Sequence, residues 1–226
     1  MLEGKGIDTV ELSALRKNEL TPLARELDSL ELSNYTYVSV HAPSQFEAEN
    51  ERPIVETLLG ITKRGWPVIV HPDAIYDYSL WRELGSWLCI ENMDKRKPIG
   101  RTVEELETVF REIPESSFCF DIGHARQFDS TMTEAYLLLK AFGGRLRQVH
   151  LSEVNTSSRH DALSSASILA FRQVAHLIPE GIPVILECPV PEDHILSEIR
   201  RARTALPDAP SLSSGTELSD NLILQV

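Results

Sequence analysis

The chain has 226 residues, 42% of them hydrophobic and 25% charged, with a formal net charge of -12 and a pI near 5.0. That composition is ordinary for a globular protein, and the acidic balance argues against a basic face for nucleic acid. No apolar stretch approaches the ~20 residues of a bilayer span, and Met1–Gly6 lacks the apolar core of a secretory leader, so a cytoplasmic location is expected. The cysteines, Cys89, Cys119 and Cys188, form no CxxC pair, which leaves them as small buried hydrophobes rather than thiol zinc ligands or a disulfide framework.

Ile7–Leu12 alternates and predicts a first strand. Thr21-Pro22 predicts a helix start, with Thr21 as N-cap and Leu23, Leu27 and Leu30 on the apolar face. The run Tyr37-Val38-Ser39-Val40 is a strand ending on His41. Glu51-Arg52-Pro53 opens a helix with Ile54, Leu58, Leu59 and Ile61 inward, closed by Gly65. Pro67–Val70 is a strand ending on His71, and a short helix is expected over 77–85. Trp87–Ile90 ends on Glu91, followed by a polar loop from Asn92 to Gly100. Thr102-Val103-Glu104-Glu105 starts a helix in capping-box style that runs to Ile113. Phe118-Cys119-Phe120 ends on Asp121, and 131–142 is helical up to Gly143-Gly144. Leu146–Val149 ends on His150, followed by a polar loop over 152–161 and a helix over 163–178. Pro183–Leu186 ends on Glu187, and Pro191–Ala205 is the last clear helix.

This alternation predicts parallel strands joined by right-handed helical crossovers. An open sheet gathers its ligands at one switch point. Here six strands end on a His or a carboxylate, which favours a TIM-type (β/α) barrel with its chemistry at the C-terminal mouth. Seven strands are recognisable, so the barrel reads as shortened, with its first strand missing or replaced. A single domain is expected over 1–206. Residues 207–226 form a tail rich in Pro, Ser, Asp and Thr, with strand character at 221–226 that could fill the gap. An unfilled edge invites pairing, which predicts a homodimer.

Glu91, Asp121, His150 and Glu187 end four successive strands and would converge on the mouth. Three carboxylates and an imidazole cannot sit together bare. A divalent cation resolves the conflict, and the oxygen-nitrogen donor set suits Mn, Mg, Co or Zn. His41 and His71, from the two preceding strands, are candidates for a second metal or for substrate. His124, one turn past Asp121, and His160, past His150, are read as substrate contacts. Arg159 is a candidate partner for a phosphate or carboxylate. His176 and His194 fall on helix patterns and are read as structural or exposed. Lys95-Arg96-Lys97 reads as a solvated loop, within reach of a phosphate.

The motifs Val40-His41-Ala42-Pro43, Val70-His71-Pro72, Ile90-Glu91-Asn92-Met93, Phe120-Asp121-Ile122-Gly123-His124, Val149-His150-Leu151-Ser152 and Leu186-Glu187-Cys188 resemble the xylose-isomerase-like barrel superfamily. The resemblance runs from about Ile7 to about Arg203. In its ketose-epimerase branch it implies one metal on Glu91, Asp121, His150 and Glu187. The glutamates Glu91 and Glu187 would shuttle a proton, and His124 and Arg159 would hold a carbohydrate or sugar phosphate. In its endonuclease-IV branch it implies zinc on His41, His71 and Glu91, with His124 and His160 in a third set. Ser158 stands where that branch has an Asp. The sequence therefore points to a divalent-metal-dependent isomerase or epimerase. The alternatives are a zinc-dependent phosphodiester hydrolase and a non-catalytic barrel that binds a small ligand.

Overall fold

The first strand, β1 (Thr9–Ser13), carries Val10 and Leu12 on the outward face, under the helices, and Glu11 inside the barrel. A computed structural model describes residues 7–207 and the backbone of 222–224. In chain order the other elements are α1 (Lys17–Glu26), β2 (Tyr37–His41), α2 (Glu51–Thr62), β3 (Val68–Val70), α3 (Tyr78–Trp81), β4 (Leu88–Glu91) and α4 (Val103–Glu112). They continue as β5 (Ser117–Asp121), α5 (Ile122–Phe128), α6 (Thr133–Phe142), β6 (Leu146–Leu151), β7 (Glu153–Val154), β8 (His160–Asp161), α7 (Ser165–Phe171), β9 (Val184–Leu186), α8 (Ile195–Ala205) and β10 (Leu222–Leu224).

The main sheet runs β1-β2-β3-β4-β5-β6-β9-β10 with every ladder parallel. It curls into a nearly closed TIM-type barrel. The gap in the sequence count is taken by β10, which pairs with β9 from Leu222↔Val184 to Leu224↔Leu186 and lies within 8 Å of β1. The expected loose stretch from 208 to 221 lies outside the described residues. No described helix is long and apolar enough to cross a membrane.

The helices present their apolar stripes to the sheet: Ile54, Val55, Leu58 and Ile61 from α2, and Leu106, Val109 and Phe110 from α4. Thr102 caps α4 as expected, accepting from the Glu105 N–H. Glu51, at the start of α2, is buried and accepts from the Tyr76 and Asp77 N–H groups and from Trp81 Nε1. It thereby pins the loop that follows His71. Trp81 is fully buried, while Trp66 and Trp87 are half-buried. All three cysteines are free and buried, and His176 and His194 are exposed.

Three local expectations change. Helix α1 starts at Lys17 rather than Thr21. The Glu19 carboxylate accepts from the Arg16 N–H at 2.9 Å and pairs with its guanidinium at 3.1 Å, an earlier cap that leaves Pro22 inside the helix. The loop over 152–161 is ordered as the antiparallel β7–β8 ribbon, closed by Asn155 Oδ1, which accepts from the Ser157 and Arg159 N–H groups. The helix expected over 163–178 stops at Phe171 and tightens into a 3-10 turn at Ala175–Leu177. One helix went unpredicted. Asp121 ends β5 and also caps α5, taking the His124 N–H on Oδ1 at 2.6 Å.

Candidate metal centre at the barrel mouth

Period-two alternation turns His41, Glu91, Asp121 and His150 into the barrel, and His71 and Glu187 follow one residue past their strands. All six come together at the C-terminal mouth. They form two groups with ligand atoms within 4.8 Å of one another: His41, His71 and Glu91, and Glu91, Asp121, His150 and Glu187. Glu91 belongs to both. Its Oε2 lies 3.1 Å from His41 Nε2 and 3.2 Å from His71 Nε2. Its Oε1 lies 3.2 Å from His150 Nδ1 and 3.5 Å from His124 Nδ1. Glu187 Oε1 is 3.2 Å from the same His150 Nδ1.

Backbone carbonyls fix two of the imidazoles. His41 Nδ1 is 2.8 Å from the Ala42 oxygen and His124 Nδ1 is 3.0 Å from the Asn92 oxygen. A carbonyl only accepts, so each Nδ1 carries a hydrogen and a neutral ring keeps its lone pair on Nε2. For His41 that lone pair would face the Glu91 carboxylate, which requires either an imidazolium or a cation between them. Burial resists charge on His41, but Glu91 outweighs it and raises the pKa to about 8. Burial pushes His71 down. Burial also opposes ionisation of Glu91, yet the imidazoles of His150 and His71 hold its carboxyl well below the usual range. Asp121 goes the other way: burial, then the Glu187 and Glu91 charges, push it well above. The pocket cannot hold all its carboxylates ionised without added positive charge.

The donor set fits a divalent cation. Asp121 Oδ2 and Glu187 Oε2 are buried without a hydrogen-bond partner, and each has a histidine nitrogen no closer than 3.5 Å. The remaining oxygens, Nε2 of His41 and His71 and Nδ1 of His150 would complete an oxygen-nitrogen shell suited to Zn or Mn.

The mouth opens into a cavity of about 530 Å³ lined also by His124, His160, Asp73, Arg96 and Lys97. His160 Nδ1 is 2.8 Å from Ser152 Oγ. Arg159, in the turn before β8, is exposed and absent from the lining. The cations lining the cavity are Arg96 and Lys97, and Lys97 Nζ lies 2.8 Å from Asp73 and 3.4 Å from His71 Nδ1. Arg96 reaches across to the Ser157 carbonyl.

Several supporting residues were given no role from sequence. Asn92 clamps the end of β5 twice at 2.8 Å, accepting from the Asp121 N–H and donating to the Asp121 carbonyl. Its position directly after Glu91 was the available signal. Gly123 admits no side chain, since a Cβ there would meet the Ser152 carbonyl at 2.5 Å. Glu11, Ser39 and Gln148 lie below the histidines and are fully buried. Each occupies an inward strand position, which is the pattern that marks them.

No family model matches the sequence, and no curated protein matches it. The similarity is to solved structures. SacUVDE aligns with a TM-score of 0.53 at 14% identity, over 84% of this chain and 71% of that one. A dihydropteroate synthase from Xanthomonas albilineans aligns with a TM-score of 0.52 at 11% identity, over 97% of this chain and 86% of that one. At such identities the likeness establishes the TIM-type fold and nothing finer.

Proposed function

We propose that the protein is a two-metal phosphoester hydrolase acting on a small phosphorylated substrate such as a sugar phosphate. The observation that carries this reading is the position of Glu91. Its Oε2 faces Nε2 of His41 and His71, and its Oε1 faces Nδ1 of His150, so one carboxylate would serve a cation on each side. His41 and His71 would complete one group and Asp121, His150 and Glu187 the other. Divalent cations held there supply charge stabilisation to a phosphoryl oxygen and an acidified water. Lys97 and Arg96 line the same cavity and supply positive charge for the phosphate. His124, with Nδ1–H committed to Asn92, keeps Nε2 to take up or return a proton. The cavity's size and the net charge of -12 favour a small phosphoester over a nucleic-acid duplex.

A second reading, isomerisation or epimerisation of a carbohydrate, is favoured by one feature. Glu187 Oε2 is buried and unpartnered, as a general base would be. That chemistry moves a proton between two carboxylates, and Glu91 has no oxygen turned away from the histidines to act as the second.

The deciding experiment loads the protein with Zn or Mn and follows sugar phosphates by phosphate release and by ketose-aldose interconversion in parallel. Phosphate release with about two metal equivalents supports the hydrolase. Interconversion without phosphate release, at one equivalent, overturns it in favour of the isomerase.

A further inference from the structure

The geometry points to Glu11 as the residue that positions His150 for metal binding, an inference that rests on the two-metal reading. Glu11 is the inward residue of β1, fully buried at the level below His150. Its Oε1 lies 3.3 Å from His150 Nε2 and its Oε2 lies 3.4 Å away. Ser39 Oγ donates to Oε2 at 2.8 Å, and Gln148 Nε2 donates to the same oxygen at 2.7 Å. Tyr37 Oη donates to Gln148 Oε1 at 2.7 Å.

Glu11 fixes the Gln148 amide. Rotating that amide by half a turn would set its oxygen 2.7 Å from a carboxylate oxygen, two acceptors in contact. The amide nitrogen therefore faces both Glu11 and His150 Nε2, the latter also at 2.7 Å. A donor that close to Nε2 means Nε2 is the acceptor, so the ring hydrogen sits on Nδ1, toward Glu91 and Glu187.

Metal ligation through Nδ1 requires the other tautomer. The hydrogen moves to Nε2, and an N–H there cannot face the Gln148 amide hydrogens. The acceptor within reach is Glu11. A buried carboxylate behind a ligand histidine fixes the ring and raises its basicity, and removing such a partner weakens metal affinity about 10- to 100-fold. Glu11 therefore serves both states, holding Gln148 against the ring in one and accepting the Nε2 hydrogen in the other.

The test uses the full chain and zinc alone. Competitive chelator titration compares wild type with Glu11→Gln, which keeps the side-chain shape. The expected result is a loss of about 10- to 100-fold for one of two zinc equivalents, the other being retained on His41, His71 and Glu91. Unchanged affinity for both, or equal loss of both, overturns the assignment. Histidine ¹⁵N spectra of the wild type provide a readout that needs no variant. His150 should carry its hydrogen on Nδ1 without zinc and on Nε2 with it. An unchanged tautomer on saturation overturns the Glu11 role while leaving the two-metal reading intact. A wild type that takes up no zinc overturns both.

Discussion

The barrel interior beneath the mouth is divided into two unlike floors. Under His71, Glu91 and Asp121 it continues as Ile69, Cys89 and Cys119, a small apolar cluster. Under His41 and His150 it continues as Ser39 and Gln148, with Glu11 beside them in a hydrogen-bonded chain. The difference follows from the chemistry above each floor. Glu91 is met sideways by histidines, while Asp121 gives Oδ1 to the α5 cap and keeps Oδ2 unpartnered, its backbone being held by Asn92, so neither draws a partner from below. His71 turns Nδ1 to Lys97 at the rim. His150 is enclosed on every side, and its second nitrogen can be satisfied only from beneath. On the apolar floor, burial raises the thiol pKa values of Cys89 and Cys119, which keeps both protonated and unreactive.

The largest effect is expected at the junction of the two floors. Glu91→Ala removes the carboxylate common to both ligand groups, so metal content by elemental mass spectrometry should fall from about two equivalents to none. Retention of one full equivalent would show that the groups do not depend on a shared Glu91. Chelation of the wild type comes next. A ligand held at 1,000 times its Kd stabilises a fold by about 4 kcal/mol. For a chain of this size, stripping the metal should lower the unfolding midpoint by roughly 8–16 °C. A midpoint unmoved by chelator would mean that the carboxylates are accommodated without cations.

Smaller effects separate the floors themselves. Cys89→Ser places a hydroxyl on the apolar floor and should cost about 1–3 kcal/mol in denaturant unfolding while leaving the metal count unchanged. Ser39→Ala deletes one donor to Glu11 and should cost a similar amount, but with weakened zinc binding. Equal zinc affinity in the two variants would remove the functional distinction between the floors. The smallest effect is at the rim. Lys97→Met breaks a part-buried ion pair with Asp73 and should change stability by about 1 kcal/mol. In a phosphate-release assay it should raise KM more than it lowers kcat.

The β-α alternation was legible because short apolar runs and helical stripes are local properties of the chain. The Asp121 turn was only half legible. Its place at a strand end was clear, but its role as the cap of α5 depends on the 2.6 Å approach to the His124 N–H. Arg159 is exposed, whereas Arg96 and Lys97 line the cavity. Sequence shows that both loops lie near the mouth, but not which one turns its charge inward.

What the sequence determined by itself is the repeating pattern that builds a barrel and the His and carboxylate residues at six strand ends, since period-two alternation sends side chains of like parity to the same face. Three things were decided only by tertiary structure. Glu91 stands between two ligand groups, Glu11 comes under His150 from a strand 139 residues away in sequence, and Leu222–Leu224 fills the eighth position of the barrel. Each depends on how the sheet curls and closes. Curvature sets the distances between side chains on different strands, and no single stretch of sequence encodes it.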